Sequence, residues 1–119
     1  MALTPITEST AAEFIANHEL VLLEFEASRC PTCRALAPVL EAASERHPDV
    51  GFGRIDSDRE KDLRHAFGIE ALPTVVIVRE QVLLLTHKGF LDAKAIDRVL
   101  EDARAADIEA IREAERSSP

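Results

Sequence analysis

Two cysteines three positions apart, Cys30 and Cys33, are the only cysteines in a chain of 119 residues. A secreted disulfide scaffold carries about four or more cysteines along a short chain, so this pair is not a structural framework. A closed zinc site needs about four protein ligands, and the histidines are scattered singly, which argues against a metal. They are His18, His47, His65 and His87. The pair is therefore either a redox dithiol or two small hydrophobic residues that happen to be neighbours.

The chain as a whole has the composition of a single globular domain. Its length suits one domain, and 46% hydrophobic with 30% charged residues excludes a disordered or low-complexity chain. Acidic residues outnumber basic ones by 22 to 14, and the net charge of −8 argues against nucleic-acid or anionic-membrane partners. No apolar run exceeds four residues, so we predict no membrane span and no signal-peptide core. We expect a cytoplasmic protein.

The cysteine pair lies between a strand pattern and a helix pattern. Leu20–Phe25 is apolar enough for a central strand buried on both faces, although Glu24 interrupts it. Pro31 suits the first position of a helix, and apolar residues then recur at helical spacing. They are Leu36, Ala37, Leu40 and Ala43. This spacing places Cys33 on the core side, and Pro38 inside it is expected to kink the helix.

This position gives the two thiols a chemical context. At a helix N-terminus the unpaired N–H groups and the positive end of the helix dipole favour an anion, so a thiol there ionises more readily than a free cysteine. A spacing of three puts both sulfurs on one helix face, close enough to form a disulfide. We expect Cys30, nearer the helix end, to be the nucleophile and Cys33, turned inward, to be the resolving thiol.

The remaining patterns alternate between strands and helices. A short edge strand at Thr4–Ile6 precedes a helix carrying Phe14 and Ile15, for which Thr10 and Glu13 have the spacing of a capping box. The later predicted elements are a buried strand at Val50–Asp56, a helix at Arg59–Phe67, strands at Thr74–Val78 and Val82–Thr86, and a helix whose apolar stripe is Ile96, Val99, Leu100 and Ala103.

Four local signals mark the ends of these elements. Gly68 suits the left-handed position that ends a helix, and Asp92 suits the N-cap of the last helix. A polar turn at residues 79–81 joins two strands into an antiparallel hairpin, and Gly89 ends the second of them. The resulting order, β, α, β, α, β, α, β, β, α, predicts an α/β domain with a mixed sheet covered by helices.

With these elements in place, the sequence resembles the thioredoxin family from about Thr4 to Asp102. The resemblance rests on Val21-Leu22-Leu23-Glu24-Phe25, Cys30-Pro31-Thr32-Cys33, Ala37-Pro38, Arg54-Ile55-Asp56, Phe67-Gly68-Ile69-Glu70-Ala71-Leu72-Pro73-Thr74 and Gly89. It implies a thioredoxin fold, with a central mixed sheet of about four to five strands flanked by helices. Beyond the usual end of the family, we also expect an extended C-terminal helix. We divide the chain into a thioredoxin-like domain, residues 1–104, and a C-terminal helical extension, residues 105–119.

The resemblance also implies the parts of a substrate site. It implies that Pro73 is cis and packs beside the dithiol, and that the Leu72 backbone offers its N–H and C=O to an extended substrate peptide. Arg29, Pro31 and Thr32 complete the expected substrate-binding set. The alternative for Pro73 is a trans proline that begins a strand. The resemblance implies no cofactor beyond the redox-active cysteine pair.

The active-site motif departs from the family's usual Trp-Cys-Gly-Pro-Cys. Arg29 replaces the tryptophan, and a cation beside Cys30 favours the thiolate form and so tunes its ionisation. Pro31 acts in the opposite direction because it has no backbone N–H to donate to the thiolate. The net effect, and with it the reduction potential, is left open by the sequence.

Glu24 occupies the position of a buried family aspartate that is thought to move a proton to or from the inner cysteine. Glu26 lies on the same side of the strand, and its like charge is expected to raise the pKa of both, whereas Arg54 is expected to lower it. Glu24 is therefore either a catalytic proton-transfer group or a solvent-facing acid in an ordinary ion pair with Arg54. Glu26 also replaces a family tryptophan, so an apolar docking surface is expected to become charged.

Residues 103–119 are rich in Ala, Glu and Arg, which are good helix formers. A continuous helix over 93–116 would measure about 36 Å, so part of it must project or fold back. Its large apolar residues are Ile108 and Ile111. We expect a solvated, partly frayed tail, and the alternative is a short contact with this domain or with another chain.

These observations support two functions. The first is a thiol-disulfide oxidoreductase for protein disulfides, supplied with electrons by a thioredoxin-reductase-like donor and directed to partners with cationic surface near their disulfide. The second is a thioredoxin-fold binding or chaperone-like module that docks partners, or a second copy of itself, through the C-terminal extension. A glutathione-dependent reaction has less support, because Leu72-Pro73 is its only matching signal.

Overall fold

The computed structural model describes residues 3–117 and forms one mixed sheet flanked by helices. Its elements are β1 (Thr4–Pro5), α1 (Ala11–Ala16), β2 (Leu20–Glu26), α2 (Pro31–Arg46), β3 (Val50–Asp56), α3 (Lys61–Ala66), β4 (Thr74–Arg79), β5 (Val82–Lys88), α4 (Ala93–Ala105) and α5 (Ile108–Arg116). The order confirms the predicted one up to α4. No helix within the described range has both the length and the apolar character needed to cross a bilayer.

Strand β2 lies at the centre of the five-stranded sheet, whose order is β1-β3-β2-β4-β5. Strands β1, β3 and β2 pair in parallel, whereas β4 pairs antiparallel with both β2 and β5. Every residue of Leu20–Phe25 is buried, as predicted for a central strand, and Glu24 is buried with the rest. The predicted mixed sheet is confirmed.

Side chains of β2 alternate between two cores, one on each face of the sheet. Even-numbered residues such as Leu22 pack with α2 and α4 through Leu36, Leu40, Ile96 and Leu100. Odd-numbered residues such as Phe25 pack on the other face with Ile6, Ala11, Phe14 and Phe67. Glu24 and Glu26, both even, therefore belong to the face that carries α2.

Most of the predicted helix ends are confirmed, with two corrections. Asp92 caps α4 by accepting a hydrogen bond from the Ala95 N–H at 2.8 Å. Gly68 adopts a φ of 65° after α3, although α3 is shorter than predicted. The capping box at Thr10 is wrong, because its hydroxyl accepts a hydrogen bond from the Thr7 N–H, at 2.9 Å, and makes no cap bond to α1.

The hairpin between β4 and β5 closes through a tight turn at Glu80 and Gln81. Both residues have positive φ, 50° and 66°, which a two-residue hairpin turn requires and which costs energy for residues other than glycine. The surroundings hold the turn in place: the Glu80 N–H donates to the Glu19 carbonyl at 2.7 Å, and Arg112 Nη2 donates to the Glu80 carbonyl at 2.6 Å.

The predicted frayed tail is wrong for the described residues, and the C-terminal helical segment folds back as a second helix, α5. The chain leaves helical geometry at Ala106, whose ψ is 139°, and α5 begins after Asp107, which caps it through the Ala110 N–H at 2.9 Å. Ile108 is only 5% exposed, and Ile111 is half-buried. The extension therefore packs on its own domain, because burying these two side chains stabilises the folded-back position.

Arg79 anchors the break between α4 and α5. Its Nη1 atom donates to the carbonyl oxygens of Ala103, Arg104 and Ala106 at 3.2, 3.1 and 2.6 Å. The last carbonyls of a helix have no partner within the helix, so a cationic donor there satisfies them and interacts favourably with the helix dipole. A residue at the end of β4 thus determines where α4 stops.

We predict that Arg79→Met lowers the free energy of unfolding by about 2–3 kcal/mol, because the substitution leaves partly buried carbonyls without their charged donor. Arg98→Met is the matched control, since Arg98 lies exposed on α4, and we expect it to change stability by less than about 0.5 kcal/mol. Urea unfolding measures both values. Equal stability of the two variants would contradict the anchoring role.

Candidate active site

Cys30 and Cys33 form a disulfide at the N-terminus of α2, with their Cα atoms 5.2 Å apart. Cys30 is the N-cap residue and is half-buried, whereas Cys33 is 2% exposed and lies inside the first turn. The structure therefore confirms the expected arrangement of an outer and an inner sulfur. The outer one is the one that a partner can reach.

The helix end provides a hydrogen bond to the outer sulfur. The Cys33 N–H donates to Cys30 Sγ at 3.1 Å, while Pro31, at the first helical position, has no N–H to offer. An amide N–H and the positive end of the helix dipole stabilise a thiolate at this position. Although Pro31 offers no N–H, the Cys30 sulfur thus has at least one backbone donor, the N–H of Cys33.

The Leu72–Pro73 peptide is cis, as the resemblance implied, so the trans alternative is wrong. Pro73 is buried and Leu72 is half-buried. The next residue, Thr74, pairs with Phe25 near the end of β2, which places the cis peptide at the same end of the sheet as the cysteines. The substrate-binding role of Leu72 and Pro73 stays a prediction.

Phe90 is an exposed aromatic residue beside the cis peptide that sequence reasoning missed. The preceding Gly89 has a φ of 96° and donates its N–H to the Pro73 carbonyl at 2.8 Å. Phe90 itself is 47% exposed. One exposed aromatic side chain therefore lies next to the cis-proline loop, and the expected charged docking surface stays a prediction. The sequence did contain a sign of this residue. Phe90 directly follows Gly89, which ends β5, and it does not belong to the apolar stripe of α4.

Arg29, predicted to tune Cys30, forms an ion pair with Asp58 across the active-site loop. Its Nη2 atom lies 3.0 Å from Asp58 Oδ1, and the Arg29 side chain is 69% exposed. Because a carboxylate compensates this exposed cation, its influence on the Cys30 sulfur is weaker than that of an isolated charge. Pro31 and Thr32, the other predicted contact residues, are exposed on the first turn of α2.

Glu24 is fully buried, and neither carboxyl oxygen has a hydrogen-bond partner within residues 3–117. Burial raises its pKa from 4.5 to about 8, the neighbouring charge of Glu26 adds to the increase, and Arg54 opposes it. A solvent-facing ion pair with Arg54 is therefore wrong. At neutral pH Glu24 is therefore mostly protonated, and it can gain or lose a proton at a pH close to neutrality.

Glu26 and Arg54 complete a charged cluster at the ends of β2 and β3. In the strand register, Glu24 lies opposite Arg54 and Glu26 lies opposite Asp56. Burial raises the pKa of the half-buried Glu26, Arg54 lowers it and Asp56 raises it. The prediction that the two glutamates raise each other's pKa is therefore confirmed for Glu24 only. For Glu26, the carboxylate that raises the pKa is that of Asp56, for which no role was predicted.

The described part of the chain contains no group of three or more His, Cys, Asp or Glu residues able to hold a metal ion. What the structure does contain is a cysteine pair at a helix N-terminus, a cis-proline at the same end of the sheet and a buried acid on the sheet face that carries the helix. Together, this fold and this site define a thiol-disulfide oxidoreductase.

Comparison with known proteins agrees with that class. Residues 2–102 match the family model named Thioredoxin. The chain is 37% identical over 109 residues to the putative thioredoxin 2 of Streptomyces coelicolor, covering 92% of this chain and 81% of that protein. It is 34% identical over 73 residues to thioredoxin-1 of Saccharomyces cerevisiae, covering 59% and 71%. The structure of chloroplastic thioredoxin z superimposes with a TM-score of 0.81 at 28% identity, covering 89% and 97%.

The chain belongs to the thioredoxin family and is a thiol-disulfide oxidoreductase. The binding-module alternative is not favoured, since both cysteines are present and paired. Membership also implies disulfide-containing protein substrates and a reductase partner.

We predict that the buried Glu24 makes the oxidised protein less stable as pH rises. The folded carboxyl keeps its proton up to about pH 8, whereas the unfolded one releases it near 4.5. The folded state therefore binds more protons between these values, and stability falls there by up to about 1.4 kcal/mol per pH unit.

Glu24→Gln is expected to remove most of this slope, and Glu41→Gln, an exposed change on α2, is expected to leave it intact. Chemical denaturation of the oxidised proteins between pH 5 and pH 9 measures the slopes. A parallel profile for the wild type and Glu24→Gln would contradict the assignment.

Proposed function

We propose that this protein reduces disulfides in other proteins, with Cys30 as the attacking thiolate and Cys33 as the resolving thiol. The observation that carries the proposal is the difference between the two sulfurs. Cys30 is half-buried and accepts the Cys33 N–H, whereas Cys33 is almost fully enclosed. Attack on a disulfide needs an accessible thiolate, and resolution needs a second thiol held next to the first.

The proposed reaction has two exchanges. The Cys30 thiolate attacks one substrate sulfur, forms a mixed disulfide and releases the other substrate sulfur as a thiolate. The Cys33 thiolate then attacks Cys30 Sγ, releases the second substrate sulfur and leaves the Cys30–Cys33 disulfide. Two electrons pass to the substrate, so an external dithiol donor must reduce the protein again. We assign this role to a thioredoxin-reductase-like partner.

Glu24 is proposed to accept the proton that Cys33 must lose before it attacks. The support is its position on the sheet face that carries α2 and its pKa of about 8, raised mainly by burial. Only the ionised carboxylate can accept a proton, so the resolution rate is expected to rise as pH increases toward and through 8. Arg54 favours the ionised form, and Glu26 disfavours it.

Substrate is proposed to bind as an extended segment along the cis-proline loop. The Leu72 backbone would pair with it as an added strand, next to Pro73, while Arg29, Pro31 and Thr32 contact it from the first turn of α2. The exposed Phe90 would add an apolar contact, and the net charge of −8 favours partners with cationic surface near their disulfide.

A cytoplasmic location completes the proposal. A chain whose only two cysteines form the active site suits a reducing compartment. No cofactor beyond the cysteine pair is proposed. A homodimer through the C-terminal extension stays a prediction, and Ile108 in that extension already packs within its own chain.

We predict that Cys30→Ser abolishes reduction of a model protein disulfide such as insulin, because no nucleophile remains. Cys33→Ser is expected to lower turnover by more than about 100-fold and to accumulate a mixed disulfide on Cys30. Insulin precipitation measures turnover, and mass spectrometry of intact protein detects the adduct.

The double variant Cys30→Ser/Cys33→Ser is the background control, and circular dichroism checks that all variants fold. Similar turnover in the wild type and the single variants would contradict the mechanism. An adduct on Cys33 in Cys30→Ser, with none on Cys30 in Cys33→Ser, would reverse the assigned roles.

A further inference from the structure

A fully buried acid cannot exchange its proton with water directly. Glu24 is completely enclosed and its carboxyl oxygens have no partner within residues 3–117. It is also mostly protonated at neutral pH, since its pKa is about 8. If it accepts the proton of Cys33, as proposed above, it must first lose the proton that it already carries. Some neighbouring group has to take that proton toward solvent.

The residues opposite Glu24 in the sheet cannot do this. Its cross-strand neighbours are Arg54 on β3 and Val75 on β4. A guanidinium remains protonated at any relevant pH, and an aliphatic side chain has no proton acceptor. Asp56 is a carboxylate, but it lies two pairs further along on β3 and is not among the charges that shift the pKa of Glu24. Its Oδ1 also accepts the N–H groups of Asp58 and Arg59 at 3.0 and 3.3 Å.

Glu26 combines a carboxyl group with a position next to Glu24. It lies two residues after Glu24 on the same face of β2, is half-buried, and its side chain makes no hydrogen bond or ion pair within the described residues. It lines an open polar pocket of about 350 Å³, whose charged walls also include Arg54, Asp56, Arg59 and Glu60. One carboxyl group therefore both neighbours the buried acid and lines a pocket that is open to solvent.

We propose that Glu26 is the outer proton-transfer residue of this active site and carries protons between Glu24 and the water of the adjoining pocket. This inference rests on the proposed role of Glu24. In the mixed disulfide, Glu24 passes its proton to the Glu26 carboxylate, which releases it to water. The Glu24 carboxylate then takes the proton of Cys33, and the thiolate attacks Cys30 Sγ. The substrate sulfur leaves as a thiolate and takes a proton from water.

The surrounding charges suit a group that is protonated only briefly. Burial and Asp56 favour the neutral form of Glu26, while Arg54 favours the carboxylate. Arg59 and Glu60 line the same pocket with opposite charges. On β4, the residues paired with this end of β2 are Val75, opposite Glu24, and Thr74, opposite Phe25, and neither is ionisable in this range. A tryptophan at position 26 would have no basic group and could not perform this transfer.

The test measures resolution of the mixed disulfide in a single turnover. Reduced protein is mixed with a disulfide-containing peptide at pH 7, quenched with acid, and analysed by mass spectrometry for decay of the Cys30 adduct. Glu26→Gln is expected to slow this decay by about 10-fold. Glu26→Asp keeps a carboxyl group and is expected to stay within about threefold of the wild type. Glu60→Gln lines the same pocket and is expected to match the wild type.

Chemical rescue separates proton transfer from a simple charge effect. Formate or imidazole that enters the open pocket can replace the missing carboxyl group, so the Glu26→Gln rate is expected to rise several-fold with its concentration. The wild type and Glu60→Gln should show no such dependence. Circular dichroism confirms that each variant folds.

Each remaining outcome overturns a defined part of the account. A wild-type rate in Glu26→Gln, or a slow rate that formate and imidazole do not increase, overturns the outer role of Glu26. In both cases, slow decay of the Cys30 adduct in Glu24→Gln would still support the proposed role of Glu24. A wild-type rate in Glu24→Gln overturns the role of Glu24 and, with it, the inference about Glu26.

Discussion

A carboxylic acid buried in the central strand links the stability of this protein to its chemistry. Strand β2 is covered on both faces, so Glu24 has exchanged water for an apolar core without gaining a hydrogen bond among the described residues. Such a group avoids the cost of a buried charge by keeping its proton to a higher pH. The same burial that destabilises the ionised fold raises the pKa of Glu24 to about 8, which the proposed proton transfer near neutrality requires.

The position of the cysteines follows from the strand that carries this acid. Strand β2 ends at Glu26, a short turn follows, and α2 begins at Pro31 with Cys30 as its N-cap. The helix packs on the face of the sheet to which Glu24 belongs. One strand-to-helix connection thus provides the outer sulfur, the inner sulfur, the backbone donor and the buried acid. The cis peptide that precedes β4 reaches the same end of the sheet because β4 pairs antiparallel with β2.

Features with a local cause were predicted from the sequence. Pro31 at the start of a helix, Gly68 in a left-handed conformation and Asp92 as a cap each depend on residues within one turn. The family resemblance added the cis-proline. The capping box at Thr10 failed although it is local, because the Thr7 N–H competes for the same hydroxyl.

Features that depend on distant residues were not predicted. The end of α4 is determined by Arg79 on β4, and the charge of Arg29 is compensated by Asp58, far along the chain in both cases. Ala105 and Ala106 favour a continuous helix, and the N-cap signal of Asp107, which starts α5, was not used in the prediction. The cross-strand neighbour of Glu26 became clear only with the strand register, which places it opposite Asp56.

The most direct test of the central claim is the pKa of Glu24 itself. Carbon-13 NMR of the glutamate carboxyl groups in the oxidised protein, with Glu24→Gln to assign the signal, follows its ionisation between pH 3 and pH 10. The account predicts a midpoint near pH 8 for Glu24, well above those of the exposed glutamates. A midpoint close to 4.5 would contradict it, because the acid would then be ionised throughout the range in which the dithiol works.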